Sequence, residues 1–251
     1  MAGRRDSSRR NRSDYGVIDA DTIQRRWARI IGLSYILALA PAIFAEFYVS
    51  GRLVTSDTLA TAQNIIAHER LFRVGIASNL LVFAIDVLLV TSLYVVLERV
   101  NRRLALLAAF FRLMETTILV VAALNDFYVL RLLTGGTSPA VIDSAALAAL
   151  ARLSIGMHGS AYGVALILFG FGSSIFCYLW LTSRYIPTLL AAWGLIASVW
   201  IGICSFTFVV FPELNRIINV GYYGGPIFLF ELTMGSWLLF KGILIRDSRS
   251  S

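Results

Sequence analysis

The chain is 251 residues long and 58% hydrophobic, with only 15% of its residues charged and a mean hydropathy of +0.75. Soluble domains carry charge at about a quarter of their positions, so a water-soluble domain is excluded as the main body of this protein. The formal net charge of +7 suggests nucleic-acid binding only until the charges are placed along the chain.

Residues 1–26 form a basic tail, expected to be disordered, cytoplasmic and attracted to anionic lipid headgroups. Ser8-Arg9-Arg10 is similar to a twin-arginine signal, but the apolar run begins only near Ile30 and is too long for a signal core. Six long apolar stretches then begin near Ile30, Val74, Leu104, Ile155, Leu189 and Gly224. Each runs for roughly 19 to 27 residues, and about 20 helical residues cross a hydrocarbon core of about 30 Å. The expected fold is all-α: a polytopic membrane bundle of six transmembrane helices over 27–246, a single domain, with 247–251 as a second cytoplasmic tail.

Span one (27–49) contains Pro41, expected to kink it. In the loop that follows, Ser56 or Asp57 is placed to cap a short helix whose apolar face would lie on the outer membrane surface. Span two (72–97) and span three (104–131) are joined by the short turn Glu98 to Arg103, which makes them antiparallel neighbours. Gly135 to Pro139 reads as a loop and Ser144 to Arg152 as another short outer helix. Span four (154–181) is rich in glycine and reads as a protein-packed helix, whereas span five (188–211) has no charge and reads as lipid-facing. Span six covers 224–245. Cys177 and Cys204 lie at different depths, too far apart for a disulfide.

Eight arginines precede span one, Arg99, Arg102 and Arg103 follow span two, Arg184 follows span four, and Lys241, Arg246 and Arg249 close the chain. These fifteen basic residues occupy one side; Arg52, Arg70, Arg73, Arg131, Arg152 and Arg216 occupy the other, and Arg112 lies within a span. The positive-inside rule therefore places both termini in the cytoplasm, and no nucleic-acid partner is needed to explain the charge.

A charge at mid-depth costs about 2.5–3.5 kcal/mol on insertion scales, so such residues face the protein interior and find partners. They sort into two layers by distance from the helix ends. Asp86, Arg112 and Glu115 form an inner layer, read first as a buried charge network that pins spans two and three together. Glu46, Asp126, His158 and Glu231 come from four different spans and form an outer layer, the candidate ligand- or ion-binding residues. Arg112, Glu115 and Asp126 share one face of span three, and that stripe joins the layers.

A metal site with His158 as nitrogen donor is disfavoured, because zinc sites usually show more than one Cys or His; no metal and no cofactor are expected. Acids outnumber the one titratable base, which favours a proton-handling or cation-attracting cavity. No nucleophile elbow, P-loop, dinucleotide fingerprint or HExxH is present, so no catalytic residue is assigned. Ser154, Ser160, Ser173 and Ser174 lie near His158 along span four, but serines at helix interfaces usually serve packing.

The run Val100-Asn101-Arg102-Arg103-Leu104-Ala105-Leu106-Leu107-Ala108-Ala109-Phe110-Phe111-Arg112-Leu113 resembles a central motif of the bacterial "domain of unknown function 4386" membrane family. So do Ala45-Glu46, Asp86, His158 with Tyr162-Gly163, Ser183 to Pro187, and Trp237 to Gly242. The resemblance spans about 27 to 245. It departs at Arg99, where the family often has proline, and at Leu190-Ala191-Ala192-Trp193-Gly194 in span five; neither touches a charged position. It implies a multi-pass protein of the bacterial cytoplasmic membrane and no established activity.

The leading functional expectation is a small transport or ligand- or ion-binding protein with an outward-facing acidic cavity, its ligand unspecified. One alternative is an intramembrane enzyme using His158 as base or metal ligand. Another is a structural or assembly subunit in which every charge is structural. Oligomeric state is not encoded legibly.

Overall fold

A computed structural model describes residues 4–134 and 144–244, which are helical almost throughout and contain no strand. The expected loop at Gly135 to Pro139 and the tail at 247–251 lie outside the described residues. Helix α1 spans Arg4–Ile43, so position 26 is not a helix end, and the basic tail leads into the first apolar stretch without a break in the backbone. Pro41 lies near the end of α1, and the helix widens just beyond it into a π-type turn, Phe44–Val49. Proline lacks the backbone donor and crowds the preceding turn, conditions under which a helix changes its hydrogen-bond pattern. Glu46 sits in that widened turn.

Short helices α2 (Ser50–Leu53) and α3 (Thr58–Ala67) follow. Asp57 caps α3, its side chain accepting from Leu59 N at 2.9 Å. The apolar residues of α3 divide between two environments, Leu59 and Ile66 exposed and Ile65 enclosed. Ile65 is fully buried in a cluster with Leu53, Phe72, Val129 and Leu130, because α3 folds back over the ends of the longer helices.

Helix α4 (Glu69–Thr134) has 66 residues, but Asn101 within it has non-helical angles, φ −156° and ψ 102°. It is therefore two rods, α4a (69–100) and α4b (102–134), joined at the turn foreseen from sequence. Asn101 Oδ1 accepts from Arg103 N and Leu104 N at 3.1 Å each, capping the second rod. Helix α5 (Ser144–Ser183) is continuous, so the expected short outer helix at Ser144 to Arg152 is its first part. No glycine or proline interrupts the run from Ser144 to Ile155, so nothing stops the helix there.

Helices α6 (Thr188–Val210), α7 (Pro212–Ile217) and α8 (Val220–Phe240) complete the chain. Four helical segments are long and apolar enough to cross a membrane: Thr22–Leu53, Glu69–Thr134, Ala149–Ser183 and Thr188–Val210. Six were expected. The difference lies at Glu69–Thr134, which holds both expected spans two and three on either side of Asn101, and at α8, which, though 21 residues long, is diluted by Tyr222, Tyr223, Gly224, Gly225 and Glu231.

Small residues set the helix spacing. A Cβ on Gly170 would stand 2.6 Å from Gly202 Cα, which brings α5 and α6 into backbone contact. Gly32 of α1 meets the α8 backbone at Gly235 and Leu239 in the same way. Helix α6 buries Leu190, Gly194, Ala197, Ile201 and Cys204 on one face and exposes Ile196, Ile203, Phe206 and Val210 on the other. Cys177 and Cys204 are both free and buried.

Candidate functional site

Two clusters of polar side chains lie among the long helices. The outer one centres on His158 of α5. Its Nδ1 is 3.0 and 3.1 Å from the two carboxylate oxygens of Asp126 on α4b. Its Nε2 faces Glu46 Oε2 at 3.8 Å, an ion-pair distance rather than a hydrogen bond. A carboxylate at Asp126 accepts from Nδ1–H and fixes that tautomer, which turns Nε2 toward Glu46. Glu46 is itself held, its Oε1 accepting from Asn79 Nδ2 of α4a at 2.8 Å. The His158 ring stacks on Tyr162 one turn further along α5, with centroids 5.4 Å apart. The sequence therefore brings Asp126, His158 and Glu46 together from three separate helical segments.

Cavities meet at this cluster. One of about 230 Å³ is bordered by Glu46, Asn79, Asp126 and His158. A larger one of about 940 Å³ is walled by Glu46, His158 and Tyr162, with Arg152, Asn215 and Tyr223 further out. Gly156, Gly159 and Gly163 also border this space, and a Cβ on any of them would meet nothing within 4 Å. The glycines of α5 thus divide by role. Gly170 and Gly172 pack tightly against α6 and Arg112, whereas the three near His158 leave room.

The inner cluster centres on Arg112 of α4b. Nη1 lies 2.9 Å from Glu115 Oε2 and Nη2 lies 3.8 Å from Asp86 Oδ1 on α4a, while the guanidinium carbon sits 4.3 Å from the Phe169 ring centroid. The expected Asp86–Arg112–Glu115 network is present, and all three are buried. The close pair with Glu115 is off-axis: neither Nη1 nor Oε2 has an aligned hydrogen bond. Its charge is compensated more fully than its hydrogen-bonding capacity.

Glu231 does not join Glu46, Asp126 and His158, contrary to the sequence expectation. It lines an inner cavity of about 200 Å³ together with Asp86, Arg112, Glu115 and Tyr35. The reason is helix length. Helix α8 begins at Val220 rather than Gly224, with α7 occupying the connection before it. Glu231 is consequently about 16 Å along its helix at 1.5 Å per residue, deeper than a start at Gly224 would put it.

Three contributors were not foreseen as site residues. Asn79 is a polar residue within span two, and its amide reaches Glu46. Tyr35 and Tyr162 stand inside apolar stretches, where a tyrosine reads as packing. Each lines the inner cavity, and Tyr162 with Leu166 borders both that cavity and the larger outer one. A tyrosine deep in a span, with a hydroxyl needing a partner, was the available signal.

Among the described residues no group of three or more His, Cys, Asp or Glu is arranged to hold a metal ion. Asp126 and Glu46 approach opposite nitrogens of the His158 ring, so the three do not converge on one point. Ser160 donates to Gly156 O at 3.0 Å, and the group facing His158 Nε2 is a carboxylate rather than a hydroxyl.

A family model described as "Domain of unknown function (DUF4386)" matches residues 30–242. No curated protein and no solved structure matches the chain.

Proposed function

Because the chain belongs to the DUF4386 family, whose activity is undefined, we propose a function from the site itself: a small transport or ion-binding protein whose outward-facing acidic cavity takes up a proton or small cation. The observation that carries this reading is His158 held between Asp126 and Glu46 on the wall of a cavity of about 940 Å³. A histidine between two carboxylates shares its proton with them, and a surplus of acid attracts cations.

The reading includes a six-span topology with both termini in the cytoplasm of a bacterium and the membrane in question its cytoplasmic one. In this reading the two rods that meet at Asn101 are spans two and three, and α8, 21 residues long, is the sixth. Basic ends gather on one side: Gln24 donates to Val96 O at 3.2 Å and accepts from Arg99, and Leu244 N donates to Tyr185 O at 2.8 Å. Anionic headgroups at that side are the partners of the basic N-terminal segment.

Protein in nanodiscs with a pH-indicator dye supplies the test. Sodium or potassium binding at a protonated acid–histidine site releases protons. Saturable release is expected from the wild type and not from Glu46→Gln or His158→Gln. Absence of release across pH 5–8 with either cation, or equal release from the variants, overturns the proposal.

A further inference from the structure

The inner cavity is a binding site in its own right, and we infer that it takes a small organic monocation, a primary alkylammonium or guanidinium. This goes beyond the outer-cavity reading and stands without it. The cavity of about 200 Å³ sits where α1, α4a, α4b, α5, α6 and α8 meet. It is the volume of roughly seven waters at about 30 Å³ each, which sets the ligand size at a few heavy atoms.

Its polar wall carries Asp86, Glu115 and Glu231 against one guanidinium, Arg112. Arg112 is already occupied by Glu115, Asp86 and the Phe169 ring. Among the described residues Glu231 makes neither an ion pair within 4.0 Å nor a hydrogen bond. Glu115 Oε2 is buried without an aligned donor although the residue is 95% covered (5% exposed). The polar wall therefore carries three carboxyl groups against one guanidinium, and an ammonium or guanidinium ligand supplies the positive charge and donors that Glu231 does not receive from the protein. An anion or zwitterion would find no free cation among the cavity-lining residues. The opposite wall, Ala38, Ala42, Phe83 and Ile227, is apolar and suits a short hydrocarbon body. Tyr162 and Leu166 border both cavities and stand as the partition between this site and the outer one.

Isothermal titration of the nanodisc-embedded protein with propylammonium and with guanidinium tests this. Saturable binding of one per chain is expected for at least one probe. Glu231→Gln keeps shape and loses charge, and should weaken binding about ten-fold or more. Ala42→Leu fills the cavity without touching a charge and should abolish binding, which covers the case in which Glu231→Gln does not fold. Glu46→Gln, at the outer site, should bind the probes as the wild type does, so failure of the outer-cavity reading leaves this result intact. No saturable binding of either probe, or binding unchanged in Glu231→Gln or in Ala42→Leu, overturns the assignment.

Discussion

His158 and Asp126, 32 residues apart in sequence, meet with Nδ1 at 3.0 Å from the nearer carboxylate oxygen. The contact ties α5 to α4b at the depth where Glu46 also arrives from the π-type turn. The pair has two jobs, one in helix association and one in chemistry, and they separate experimentally. Asp126→Asn and His158→Gln should each lower unfolding stability by about 1–3 kcal/mol, as loss of a charge-assisted hydrogen bond does. The double variant should lose clearly less than the sum of the singles. Thermal unfolding in detergent measures all three, and additive losses would mean that the residues act separately.

Arg112 has two acidic partners at unequal distances, Glu115 at 2.9 Å and Asp86 at 3.8 Å. Removing the cation leaves buried carboxylates without compensation, so Arg112→Leu should destabilise by about 3–5 kcal/mol. The coupling measured by double-variant cycles should be larger for Arg112 with Glu115→Gln than for Arg112 with Asp86→Asn. A larger coupling to Asp86 would show that the interhelical pair, rather than the one within α4b, dominates.

The long apolar segments and the Asn101 turn were legible because length and hydropathy act locally. The Asp86–Arg112–Glu115 network was legible for a related reason: a short turn makes α4a and α4b antiparallel and nearly fixes relative depth. Glu231 was misplaced because its depth depends on where α8 starts, and that depends on α7 and the turn at Asn219, whose side chain accepts from Gly221 N. The continuity of α5 through Arg152 escaped notice since a short stretch rich in alanine and leucine does not by itself show whether it extends a neighbouring helix. Trp180, near the end of α5, is fully buried against the Tyr185 edge. Aromatic identity does not report which way a side chain turns.

The glycines of α5 offer a contrast within one helix. Gly170→Ala places a methyl 2.6 Å from Gly202 Cα, where backbone rather than a flexible side chain must move. Destabilisation of about 1–3 kcal/mol is expected from such overpacking. Gly163→Ala meets nothing within 4 Å and should leave stability nearly unchanged while narrowing the outer cavity. Unfolding curves of the two variants side by side decide this, and equal losses would mean that the α5–α6 approach is looser than described.

The proposed orientation has a test that does not involve the sites. Ser56 and Arg102 are both exposed, and they sit at opposite ends of the bundle: Ser56 precedes α3, and Arg102 opens α4b beside the capping Asn101. Both native cysteines are buried, so background labelling should be low. In intact cells a membrane-impermeant maleimide should label Ser56→Cys and spare Arg102→Cys, and permeabilisation should make Arg102→Cys reactive. The reasoning is electrostatic. Arg102 and Arg103 adjoin Arg99 and lie near the N-terminal helix through the Gln24–Val96 bond, concentrating positive charge at that end. Labelling of Arg102→Cys without permeabilisation would invert the topology. It would then turn the His158 cavity toward the cytoplasm, and the inward or outward sense of any cation uptake would reverse with it.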